Sequence, residues 1–138
     1  MKVSDIMTTP TFLTTPDTRL SEAAMLMSQH DIGSLPVGDN DRLVGMVTDR
    51  DIVVRGLARG LASDASVREV MSEQLCYCFD DEDVDHVAKN MASLQVRRLP
   101  VVNRDKRLVG IVSLADFAHS GEERPTEQLL KGVAQPHH

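Results

Sequence analysis

Aromatic residues are scarce in this chain. Tryptophan is absent, and one Tyr and three Phe make up 3% of 138 residues. A core without large rings must be built from Val, Ile, Leu, Met and Ala, which suits thin sheets covered by helices. No apolar stretch approaches the length of a membrane span. The N-terminus shows no signal-peptide pattern, so a cytoplasmic protein is expected. Positive charge is also in deficit: 15 Lys and Arg face 21 Asp and Glu, for a net charge of −6. Non-specific nucleic-acid binding needs cations against phosphates, so nucleic acid is not an expected partner. There is no nucleophile beside a base, no metal-ligand cluster and no Walker-type loop, which argues against an enzyme. Cys76 and Cys78 are the only cysteines. In an extended Leu75–Phe79 segment they would share a face, either as a redox or metal pair or as two small apolar residues. No further ligands accompany them, which favours the second reading. His137 and His138 at the C-terminus read as remnants of an expression tag.

What the chain does have is an internal repeat. Val3-Ser4-Asp5-Ile6-Met7 returns as Val67-Arg68-Glu69-Val70-Met71, and Leu35-Pro36-Val37 returns as Leu99-Pro100-Val101, both 64 residues on. Leu43-Val44-Gly45-Met46-Val47-Thr48 returns as Leu108-Val109-Gly110-Ile111-Val112-Ser113, 65 residues on. A single copy is marginal alone, so the two are expected to pack together. The copies divide as 1–62 and 63–121, with a polar tail over 122–138 in which 127–133 has the character of a short helix.

Each copy reads as strand, helix, strand, strand, helix, an α/β (α+β) pattern. In the first, Thr11–Thr14 is a short strand. Leu20, Ala23, Ala24 and Met27 follow at helical spacing, and Asp31-Ile32-Gly33 ends that helix. Leu35–Val37 and Leu43–Thr48 are strands around a Gly38–Asp41 turn. Asp49–Arg59 is a helix with Ile52, Val53 and Leu57 inward. In the second, Cys76–Phe79 is a strand and Val84, Val87, Ala88, Met91 and Leu94 form the helical stripe. Leu99–Val102 and Leu108–Ser113 are strands, and a last helix starts at Leu114. The unbroken apolar run Ala23–Met27 covers more than one helix face, which points to self-association.

The sharpest signal ends each copy. Gly45-Met46-Val47-Thr48-Asp49-Arg50-Asp51 and Gly110-Ile111-Val112-Ser113-Leu114-Ala115-Asp116 both read Gly, two apolar residues, Thr or Ser, any two, Asp. One reading is a capping box, although that motif ordinarily uses the longer Glu or Gln. The other is a nucleotide site. A helix N-terminus attracts an anion, the hydroxyl adds a donor, and a carboxylate accepts from two vicinal ribose hydroxyls.

The ordered set of motifs in duplicate resembles a cystathionine-β-synthase (CBS) domain pair, or Bateman module, of the short stand-alone bacterial type. The likeness covers residues 1 to about 120. It implies tandem β-α-β-β-α repeats packed with pseudo-twofold symmetry around two clefts. It further implies adenosine-containing ligands: AMP, ADP, ATP, NAD, S-adenosylmethionine or cyclic di-AMP, with no required cofactor. The family's clefts combine residues of both copies. The first would be lined by Met46, Thr48, Arg50, Asp51, Arg97, Arg98 and Pro100. The second would be lined by Ser34, Pro36, Ile111, Ser113 and Asp116. Arginine suits phosphate, so the first would take the more highly charged ligand; a solvated Arg97-Arg98 pair is the alternative. Arg104, Lys106 and Arg107 read as ordinary turn residues. The resemblance implies a non-catalytic nucleotide sensor that homodimerises and acts on a separate, unidentified effector protein. A dimerisation or interaction module with no ligand is the other reading.

Overall fold

The computed structural model describes residues 1–9, 14–73 and 76–119. The chain forms two compact units: Phe12–Leu75, and Met1–Thr11 together with the chain from Cys76 onward. The units are therefore offset from the sequence copies divided at 62 and 63. The segment that opens each copy completes the core of the other copy's unit. Val67 and Val70 join a cluster with Leu20, Ala23, Leu35, Val37 and Val47. Val3 joins one with Val84, Val87, Met91, Val101 and Phe117. Each opening segment is a short 3-10 turn, Val3–Asp5 or Val67–Glu69, that presents its valines to a sheet and helix.

In the Phe12–Leu75 unit, helix α1 (Leu20–His30) buries Leu20, Ala23 and Met27 on one face. Of the apolar run, Met25 stays 57% exposed. The helix ends at Asp31, which takes a left-handed φ of 51°. Strands β1 (Ser34–Asp39) and β2 (Arg42–Thr48) pair antiparallel. Asn40 and Asp41, with φ of 52° and 65°, make the tight turn between them, a conformation that favours Asn, Asp and Gly. Of the expected Thr11–Thr14 strand, residues 11–13 lie outside those described; Thr14 forms a parallel bridge to Val37.

The chain is helical from 49 to 59, but not as a regular amphipathic helix. Helix α2 (Asp49–Asp51) runs into a π turn over Ile52–Gly56 and a 3-10 turn over Leu57–Arg59. This corrects the expectation that Val53 and Leu57 face inward: they are 55% and 72% exposed. Gly56 is the buried residue instead. A Cβ there would lie 3.2 Å from Leu20 Cδ1, so this segment meets α1 at a glycine; Ile52 packs against the core as expected, while Val53, Val54 and Leu57 turn outward.

In the other unit, β3 (Cys78–Phe79) runs parallel to β4 (Arg98–Val102), which pairs antiparallel with β5 (Leu108–Ser113). Helix α3 (Val84–Leu94) lies between β3 and β4 in sequence, and α4 (Leu114–His119) follows β5. Val84, Val87, Ala88 and Met91 are buried as expected, whereas Leu94 is half exposed at the helix end. Asp83 caps α3 through the Asp85 N–H at 3.0 Å, and Gln95 closes it with φ 57°. Arg104 holds the adjoining loop. It donates to both oxygens of Asp81 at 2.8 and 2.6 Å, and its guanidinium lies 4.2 Å from the Phe79 ring centre. That bidentate pairing holds the Asp81 carboxyl below its ordinary range.

The strand at the cysteines begins only at Cys78. Cys76 precedes it and is exposed, while Cys78 is buried, so they are not a matched pair on one strand face. Cys78 is the counterpart of Thr14, 64 residues earlier. Thr14 pairs with Val37 and its hydroxyl donates to the Pro36 carbonyl at 3.1 Å. Cys78 pairs with Val101 and its thiol donates to the Pro100 carbonyl at 3.9 Å. Burial, reinforced by Glu82 and Asp80, pushes the Cys78 thiol up to about 12. No helix among the described residues is long and apolar enough to cross a membrane.

Candidate functional site

The strand-to-helix junctions at Thr48 and Ser113 are built by the same local rule. Gly45 and Gly110 let a second stretch of chain close onto the strand. A Cβ at Gly45 would stand 2.7 Å from the Ser72 carbonyl oxygen. At Gly110 it would stand 2.7 Å from Met7 Sδ and 3.0 Å from the Thr8 carbonyl oxygen. The space freed allows two backbone bridges. Ser72 and Met46 exchange N–H···O bonds of 2.8 and 3.0 Å, and Thr8 and Ile111 exchange bonds of 2.8 and 3.1 Å. The motif glycine is thus required by close backbone approach.

At the first junction the capping box is realised with aspartate. The Thr48 N–H donates to Asp51 Oδ2 at 2.9 Å, and the Asp51 N–H donates to Thr48 Oγ1 at 3.0 Å. Asp51 Oδ1 has Arg55 Nε at 4.0 Å. At the second junction Asp116 Oδ2 accepts from the Ser113 N–H at 2.8 Å and from the Ser113 hydroxyl at 3.2 Å. Its Oδ1 accepts from the Thr8 hydroxyl at 3.1 Å. Both carboxylates are half-buried and fixed by the turn they close, so each presents oxygen lone pairs from a defined position.

Within each unit, sheet register decides which candidate residues meet. Ser34 lies opposite Thr48, and Pro36 opposite Met46. Arg98 lies opposite Ser113, and Pro100 opposite Ile111. The Asp49 N–H donates to the Gly33 carbonyl, and the Leu114 N–H to the Arg97 carbonyl, both at 3.0 Å. One unit thus gathers Ser34, Pro36, Met46, Thr48, Arg50 and Asp51. The other gathers Arg97, Arg98, Pro100, Ile111, Ser113 and Asp116. Pro36 and Pro100 are buried, Arg50 and Arg97 exposed, and the remaining eight are half-buried. Sequence reasoning missed Thr8. Its signal was that a hydroxyl residue follows the repeated methionine in both copies, Thr8 after Met7 and Ser72 after Met71.

A separate apolar hollow of about 200 Å³ lies in the Phe12–Leu75 unit, lined by Leu20, Ala24, Ile52, Val53, Leu57 and Leu61. Among the described residues, no three or more of His, Cys, Asp and Glu gather to hold a metal ion.

Comparison with known proteins agrees with this architecture. "Hypoxic response protein 1" of Mycobacterium tuberculosis is 43% identical over 119 residues, covering 85% of this chain and 82% of that protein. A crystal structure of Hypoxic Response Protein I with two coordinated zinc ions superposes with a TM-score of 0.77 at 41% identity, covering 86% of this chain and 98% of the other. The CBS domain pair of protein MJ0100, in complex with 5-methylthioadenosine and S-adenosyl-L-methionine, gives a TM-score of 0.74 at 32% identity over 87% of this chain and 94% of the other. CBSX2 in complex with AMP gives 0.76 at 26% identity over 86% and 94%. The family model described as "CBS domain" matches twice, at residues 3–57 and 67–123. The duplicated junctions, the mixed helix-and-strand units and these matches place the chain in the CBS domain family, as a tandem pair.

Proposed function

We propose that this chain is a non-catalytic regulatory module that binds an adenosine-containing small molecule: AMP, ADP, ATP, NAD or S-adenosylmethionine. The observation that carries this reading is the duplicated junction, in which a hydroxyl and a fixed carboxylate stand three residues apart, at Thr48 and Asp51 and again at Ser113 and Asp116. A carboxylate so placed accepts from ribose hydroxyls. Arg50, Arg97 and Arg98 supply donors for phosphate. Structures related to this chain were obtained with AMP and with S-adenosyl-L-methionine. Ligand binding would shift a conformational or dimer equilibrium and so signal a metabolite level, in the cytoplasm, to an effector protein.

Thermal unfolding with each of AMP, ADP, ATP, NAD, S-adenosylmethionine and cyclic di-AMP tests the reading. A ligand at a hundred times its dissociation constant adds about 2.7 kcal/mol of stability. No shift with any of the six overturns the proposal. Arg97→Ala with Arg98→Ala, introduced into Asp51→Ala and Asp116→Ala backgrounds, then reveals which carboxylate the arginines serve.

A dimerisation module without a ligand is the second reading. It is favoured by the exposed Val53 and Leu57, which line the apolar hollow beside α1, and by the exposed Met25 of the same helix. Self-association is also compatible with the first reading, so ligand binding separates the two.

A further inference from the structure

We infer that Thr8 is a positioning residue that governs how the Asp116 carboxylate receives a ribose, by holding an acceptor position that a vicinal diol requires. The inference rests on the adenosine-binding reading above and concerns one of its two carboxylates.

A carboxylate offers about four acceptor positions, two on each oxygen. At Asp116 three of these are filled: two on Oδ2 by the Ser113 N–H and hydroxyl, and one on Oδ1 by the Thr8 hydroxyl. A 2′,3′-diol donates two hydrogen bonds. With one position left, it obtains one bond unless a resident donor leaves. The Ser113 N–H belongs to the turn that starts α4 and is fixed, and the Ser113 hydroxyl shares Oδ2 with it, so the acceptor position that can open on Oδ1 is the one Thr8 holds. The Thr8 side chain is exposed and rotates about a single bond.

Thr8 is not a chance neighbour. Two backbone hydrogen bonds with Ile111 hold it beside β5, and Gly110 leaves the space for them. Its hydroxyl comes from a part of the chain 108 residues away from Asp116. Ser72 takes the same backbone place beside Met46 in the other unit, so the fold delivers a hydroxyl residue to this position twice. Thr8 therefore acts as an internal competitor. It satisfies the carboxylate when no ligand is bound and reduces the advantage of a second ribose hydroxyl.

The test uses the 138-residue chain carrying Asp51→Ala, which leaves the Asp116 carboxylate as the ribose acceptor. AMP and 2′-deoxyadenosine monophosphate are titrated calorimetrically. The expected result is similar affinity for the two nucleotides. Adding Thr8→Val, which keeps the branched shape but removes the hydroxyl, should tighten AMP about fivefold and leave the deoxynucleotide unchanged. Thr8→Ser should restore the parent behaviour. Thr8→Ala serves the same purpose should the valine variant fail to fold. Unchanged or weaker AMP binding after loss of the hydroxyl overturns the inference, as does an equal gain for both nucleotides. If the natural chain binds AMP but no such gain appears, the Thr8 role alone falls. If no protein in the series, the natural chain included, binds an adenosine ligand, the adenosine reading falls with it.

Discussion

Asp51 and Thr48 close on each other at the start of α2: each donates its backbone N–H to the side chain of the other, at 2.9 and 3.0 Å. The same carboxylate is the proposed ribose acceptor, so structural and ligand roles fall on one side chain. Asp51→Ala is expected to cost about 1 kcal/mol of stability without ligand, the usual loss of a helix cap. It should also remove most of the ligand-induced rise in melting temperature, and more of it than Asp116→Ala removes. Thermal unfolding with and without ligand reads both effects; equal losses in the two variants would refute the ranking.

Gly45 and Gly110 are predicted to be intolerant of any side chain. Alanine at either position drives a methyl group into a carbonyl or a methionine sulfur, and overpacking of this kind costs about 1–3 kcal/mol. Gly60, with open space around it, is the comparison for crowding: alanine there meets no neighbour and is strained only by its φ of 80°. Denaturant unfolding of the three variants measures the difference.

Cys78 should behave as a buried apolar residue and Cys76 as an accessible thiol. A thiol reagent is expected to label one cysteine in the native chain and both in denaturant. The folded Cys78 thiol ionises near 12 against an ordinary value of 9.0. Its raised value means that its stabilising contribution is complete below pH 9 and is lost as the pH climbs from 9 toward 12. Cys78→Thr, which installs the residue its counterpart Thr14 already is, should fold and should lack that alkaline loss. Stability measured from pH 7 to 11 checks this.

Gln95 ends α3 in the left-handed region, where a Cβ is strained. Gln95→Gly should raise stability by about 0.5–1 kcal/mol, the relief of that strain less the added freedom of glycine in the unfolded chain. Chemical denaturation at neutral pH is the measurement.

Leu57 and Val53 should carry self-association. Leu57→Lys together with Val53→Asp is expected to shift sedimentation toward the monomer while leaving the circular dichroism spectrum unchanged, because both side chains already face outward. A monomeric parent chain would remove the proposal that this face joins two copies.

The sheets were legible where pattern and chemistry agreed. Leu35–Val37 and Leu43–Thr48 announce a hairpin through apolar runs around Gly38–Asp41, and β1 and β2 follow, with three residues added to the first and one to the second. Asp31-Ile32-Gly33 announces the end of α1, although the left-handed residue is Asp31 and not the glycine. Helix faces were less legible. Val53 and Leu57 fit an inward stripe of a regular helix, but the π turn and the close approach at Gly56 redirect them. Periodicity assumes a constant turn, and the sequence carries no mark of where the turn widens.

The sequence by itself determined the family, the two junctions and the carboxylate in each, because a duplicated motif repeats its spacing whatever surrounds it. Only the tertiary structure decided that the opening segment of each copy completes the other copy's unit, and that Thr8 therefore reaches Asp116. That contact depends on backbone closing over Gly110 from 102 residues away in the chain, and local sequence does not encode which distant backbone will fill the space a glycine leaves.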